Sequence, residues 1–137
     1  MLSSALVGLS ALVIMMLGIA HLIYTFSGPK LLPRDSALQS EMKLVSPVIS
    51  DETTMWKAWV GFNASHSMGA ILFGLVFGYL ALEHPVFLFS STFLSLVGFL
   101  MLAGLFELGR RYWFSIPFRG IAISMLCYTA GHVIARL

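Results

Sequence analysis

Residues 58–82 read AWVGFNASHSMGAILFGLVFGYLAL, a run without a charged residue that carries Asn63 and His66 in its first half. A helix rises about 1.5 Å per residue, and ~20 apolar residues suffice to cross the ~30 Å hydrocarbon core of a bilayer. Three further uncharged runs, 1–29, 85–106 and 120–135, lie on either side of it. Composition points the same way, since 58% of the residues are hydrophobic and only 10% are charged. With a mean hydropathy of +0.91, a water-soluble fold would lack polar residues to cover its surface. The expected fold class is therefore all-α integral membrane. It is a four-transmembrane-helix bundle forming a single domain over 1–137, with spans at about 5–26, 54–82, 85–107 and 115–136.

Orientation follows from the basic residues. Lys30, Arg34, Lys43, Lys57, Arg110, Arg111 and Arg119 fall in the first and third loops, against Arg136 alone on the other side. By the positive-inside rule, loops 1 and 3 are cytoplasmic and both termini lie outside. The net charge of +2 is then a matter of topology and of contact with membrane lipid, and no nucleic-acid partner is expected. The first run has no basic stretch before it and no small-residue cleavage site after it, so it is expected to be retained as a helix. Cys127 is the one cysteine and lies inside the fourth span, which excludes an intramolecular disulfide.

Between the first two spans, Pro33 and Asp35 can start a short helix that runs through Val45 and is stopped by Pro47. Leu38, Met42 and Val45 at i, i+4 and i+7 make an apolar stripe, so this helix is expected to lie in the cytoplasmic interface. The plainer alternative is a loop segment that caps the bundle. Ser50 and Asp51 are expected to cap the second span, with Trp56 and Trp59 in an interfacial aromatic belt.

Polar residues inside the spans are the candidate functional groups, because an imidazole or carboxamide in hydrocarbon must find a partner. Trp59, Asn63 and His66 share a helical face with Ala70 and Phe73. Helix one offers His21, with Thr25 one turn on, and helix four offers Ser124, Tyr128 and His132 at successive i+4 positions. Counted from the cytoplasmic ends, the three histidines stand at about 8, 16 and 22 Å, a stagger too large for a three-histidine metal centre. A polar pocket of His21, Trp59, Asn63, His66, Ser124, Tyr128 and His132 is expected to bind a hydrophobic ligand, a quinone or a lipid-like molecule. No metal or other cofactor is required by the sequence. A lesser alternative is a b-type haem held by His66 and His132, with Gly69, Gly120 and Gly131 giving it room.

The competing class is a structural or accessory subunit of a larger membrane complex, or a homo-oligomer, in which the histidines only join helices. Gly74-Leu75-Val76-Phe77-Gly78 is a GxxxG segment, which indicates close packing and nothing more specific. Arg110, Arg111 and Arg119 could bind a phosphate headgroup or could simply set topology with local ion pairs. No serine-nucleophile motif, Walker loop, HExxH or CxxC occurs, so nothing calls for an enzyme. No midspan acidic residue supports proton-coupled transport either.

The string His21-Leu22-Ile23-Tyr24-Thr25-Phe26, followed by Pro33-Arg34-Asp35 and by Trp59 through His66, resembles uncharacterised bacterial four-helix inner-membrane proteins. That resemblance implies a bacterial cytoplasmic membrane and carries no activity and no site residues with it.

Overall fold

The computed structural model describes the whole chain, Met1–Leu137, and is entirely helical, with 80% of residues in helix and no strand. Six helices follow one another: α1 (Leu2–Phe26), α2 (Ser36–Leu44), α3 (Met55–Glu83), α4 (Pro85–Ser90), α5 (Thr92–Tyr112) and α6 (Ser115–Ile134). Three of them, α1, α3 and α5, are long and apolar enough to cross a membrane. The fourth long helix, α6, falls short of that standard because Arg119, Tyr128 and His132 dilute its apolar residues.

The number of helices is a correction to the four spans and one short helix expected above. The third expected span is broken at Ser91, which ends α4 and begins α5. Its hydroxyl accepts a hydrogen bond from the Leu94 amide at 3.2 Å, offering the backbone a cap in place of a continued helix. That span also runs past Glu107 to Tyr112, because Arg110 and Arg111 sit one turn beyond Glu107 and pair with it. The start of α3 shifts the other way, to Met55. The Ser50 hydroxyl is occupied by the Glu52 amide within a turn, and Thr54 accepts from the Lys57 amide at 3.3 Å.

The helices form two compact units, Met1–Leu17 with Ala70–Leu137, and Gly18–Gly69. In the first, Val7, Ala11 and Ile14 of α1 recur at i, i+4 and i+7 and are fully enclosed. They join Ala70, Phe73, Phe77 and Ala81 of α3 and Leu88 of α4 in one core. On α5 the buried residues are Ser95, Gly98, Leu102, Leu105 and Gly109, and on α6 they are Ile121, Ser124, Tyr128, Gly131 and His132. Spacings alternating between three and four residues keep one seam on each helix turned inward. The connection of α5 to α6 is only Trp113 and Phe114, which makes the two antiparallel neighbours. The GxxxG segment packs on α1, since a Cβ at Gly74 would collide with Met15 and stand 2.7 Å from the Ala11 carbonyl oxygen.

The second unit holds the end of α1, all of α2 and the start of α3. Gly28, with φ +82°, turns the chain out of α1 in a conformation that a residue with a Cβ rarely adopts. Asp35 then caps α2 by accepting from the Ala37 amide at 2.8 Å. The Met55 amide donates to the Val45 carbonyl at 2.8 Å and ties the end of α2 to the start of α3. No residue of α2 is buried.

Candidate functional site

The sequence-derived candidates fall into two groups, one in each unit. In Gly18–Gly69, His21 Nε2 and Asn63 Oδ1 are 2.9 Å apart. The Asn63 amide donates to the Trp59 carbonyl at 2.8 Å, so its oxygen is the acceptor and His21 carries its hydrogen on Nε2. The His66 ring meets that of His21 edge-on at 5.5 Å between centroids and stacks on Phe62 at 6.5 Å. Trp59 departs from the expected inward face. It is exposed, and its indole donates to the Leu31 carbonyl at 3.2 Å. The inward face of α3 is instead centred on Asn63, Ser67 and Ala70, and Ser67 donates to the Asn63 carbonyl at 2.8 Å.

In the other unit, Ser124, Tyr128 and His132 lie on one face of α6, and their chemistry differs. Ser124 is wholly buried and donates to the Ser10 carbonyl at 3.1 Å, with the two hydroxyls 2.7 Å apart. That hydroxyl is fully used in joining α6 to α1. Tyr128 lies against Gly98, where a Cβ would collide with its hydroxyl, and donates to the carbonyls of Leu94 and Ser95, each at 3.2 Å. Its one hydrogen is therefore committed to α5.

His132 differs from both. It is 8% exposed, Nδ1 lies 3.1 Å from the Ser95 hydroxyl, and Nε2 is buried without a hydrogen-bond partner. Rings surround it, with Tyr128 at 4.5 Å and Phe89 at 5.1 Å between centroids. Ser95 is also 3.0 Å from the Ser91 carbonyl. Its single proton can go to that carbonyl, in which case His132 donates from Nδ1 and presents a bare Nε2. Alternatively it goes to Nδ1, and Nε2 then carries the hydrogen. A recess of about 250 Å³ adjoins these groups, lined by Ser95, Leu96, Phe99, Tyr128, His132 and Arg136 among others.

Ser95 and Ser10 are site residues that the sequence argument missed. The signal available was their placement, since Ser91 and Ser95 stand one turn apart within an apolar run and Gly98 follows at the next turn.

Gly120 and Gly131, assigned above to making room for a haem, do not provide it. A Cβ at Gly120 would stand 2.9 Å from Leu17 Cδ1 and one at Gly131 2.8 Å from Val7 Cγ2, so α1 fills that space. Gly69 has open space beside it. No group of three or more His, Cys, Asp or Glu side chains converges on a point.

Of the three arginines considered for a headgroup, Arg110 grips both oxygens of Glu107 at 2.9 Å, and Arg111 pairs with the same carboxylate. Arg119 is exposed on α6. Comparison with protein-family models, with curated protein sequences and with solved structures returns no match.

Proposed function

We propose that this chain is a small integral membrane protein that holds a lipid-soluble ligand, a quinone or lipid-like molecule, beside His132. Residence in the bilayer is supported by the outer surfaces of the long helices. No more than 33% of the apolar window in α1, α3 or α5 is buried. Leu72, Leu75, Phe93, Leu100 and Leu126 point outward with more than half their surface exposed. Apolar area on that scale requires a non-aqueous neighbour. In this reading α1, α3, α5 and α6 are the four spans of a bundle, with α4 part of the third crossing. The basic loops face the cytoplasm, both termini face outside, and the membrane is the bacterial cytoplasmic one.

The observation that carries the ligand is His132 Nε2. A buried polar nitrogen left unpaired destabilises a fold by about 1–3 kcal/mol, and a ligand oxygen would satisfy it. The Ser95 proton suits it to both states of a quinone-type headgroup. One tautomer donates to a carbonyl and the other accepts from a hydroxyl. Leu96, Phe99 and Val133 supply an apolar wall for a ring or chain.

The accessory-subunit reading keeps support from the other polar groups. His21, Asn63, Ser10 and Ser124 all bond to one another or to backbone, as helix-joining groups do. Native mass spectrometry of the gently solubilised protein, with an absorption spectrum of the same sample, separates the two. A co-purifying small molecule that is lost from the His132→Leu variant is the expected result. A Soret band would identify haem instead. An empty monomer, or a larger protein partner, would overturn the ligand proposal in favour of the accessory subunit.

A further inference from the structure

A second recess, of about 380 Å³, lies within Gly18–Gly69. Its wall is Leu32, Pro33, Leu38, Met42 and the Trp59 ring, with Lys30 the one charged residue among its lining. The indole hydrogen bond from Trp59 to the Leu31 carbonyl ties the loop to α3 at the edge of the recess. Asp35 fixes the start of α2, which brings Leu38 and Met42 to the recess on successive turns of one face. The Lys30 ammonium stands 4.0 Å above the Tyr24 ring, held in place by a cation–π contact with no carboxylate partner. None of the acids in this segment, Asp35, Glu41, Asp51 or Glu52, lines the recess. The volume is within the ~300–1,000 Å³ range of small-molecule sites, far less than a whole phospholipid needs and suited to part of one chain.

We propose that this recess takes an acyl chain of an anionic glycerophospholipid from the surrounding bilayer, with the lipid phosphate beside the Lys30 ammonium. Charge decides the occupant. A single fixed cation next to an apolar slot favours a net-negative headgroup, whereas the ammonium of a zwitterionic choline headgroup meets Lys30 with like charge. The amphipathic α2 gives the slot Leu38 and Met42, and the exposed Leu38, at 52% accessible, becomes part of the chain's wall. The proposal rests on membrane residence and does not require a ligand at His132.

The test uses the full-length protein in phosphatidylcholine vesicles doped with dibrominated phosphatidylglycerol or, separately, dibrominated phosphatidylcholine, with quenching of tryptophan fluorescence as the readout. The expected result is that the anionic quencher acts at about fivefold lower mole fraction than the zwitterionic one, the effect of one lysine beside an anionic lipid. Lys30→Ala removes that preference and Lys30→Arg retains it. Trp59→Phe removes it as well, because Trp56 and Trp113 lie outside the recess wall. Equal quenching by both lipids, or a preference that survives Lys30→Ala or Trp59→Phe, would overturn the proposal. Vesicle flotation reports membrane residence separately, and loss of ligand from His132→Leu leaves the lipid preference unchanged.

Discussion

Tyr128 can lie flat against α5 only because residue 98 has no side chain. A Gly98→Ala methyl would stand in the place of the phenol oxygen, forcing the ring away from the Leu94 and Ser95 carbonyls. Overpacking of this kind destabilises by about 1–3 kcal/mol, so a clear drop in the thermal midpoint of the detergent-solubilised protein is expected. Tyr128→Phe keeps the ring and removes only the hydroxyl, and its loss is expected near the ~0.6 kcal/mol average for a hydrogen bond between membrane helices. Should Gly98→Ala prove no worse than Tyr128→Phe, the close approach would not matter. His132 offers a different contrast. Replacing it with leucine removes an unpaired nitrogen and the bond to Ser95 together, so stability is expected to change little while ligand retention is lost. A large fall in stability with ligand retained would assign His132 to joining α5 and α6.

Among the elements, the break at Ser91 shows where local chemistry overrode the apolar pattern. The run 85–106 is uncharged, and the cluster Ser90, Ser91 and Thr92 that interrupts its apolar residues leaves both one helix and two open. The hydroxyl of Ser91 decides between them by capturing the Leu94 amide. Ser91→Ala is expected to weaken the start of α5 by about 1 kcal/mol, read as faster amide hydrogen exchange at Leu94 and Ser95 with the remainder of α5 unaffected. Unchanged exchange there would mean that packing alone holds the break.

Asp35 is the opposite case, because the start of α2 was legible from Pro33 and Asp35 before the apolar stripe of Leu38, Met42 and Val45, and the helix ends within one residue of the expected stop. Long apolar runs and caps leave marks in a single sequence. The pairing of hydroxyls across helices does not, which is why Ser10 and Ser95 escaped notice while the histidines stood out as intramembrane titratable groups. Which of those histidines would have a spare nitrogen was equally invisible. His21 and His132 have similar apolar neighbours in sequence, and only the three-dimensional placement of Asn63 and Ser95 separates them.

At the scale of the molecule, orientation is the property most open to a direct check. A Cys127→Ser background, with single cysteines placed in turn near Arg34, His84 and Arg111, is expected to react with an impermeant thiol reagent from outside only at the position near His84. Labelling at the other two from outside would invert the proposed topology.

The apolar character of the helices also differs from one to the next. The first span has a hydropathy of 2.4, against 1.5 for α3 and 1.8 for α5, and α6 is too polar to reach the same standard. Two of the more polar helices, α3 and α6, find partners on α1. Asn63 of α3 bonds to His21, Ser124 of α6 bonds to Ser10, and Gly74 of α3 is moulded to Ala11 and Met15. Of the three helices apolar enough to cross a membrane, then, α1 is the most hydrophobic, and polar groups of α3 and α6 bond to it. Each of those two helices thereby turns a polar group onto α1 that would otherwise face apolar surroundings unpaired.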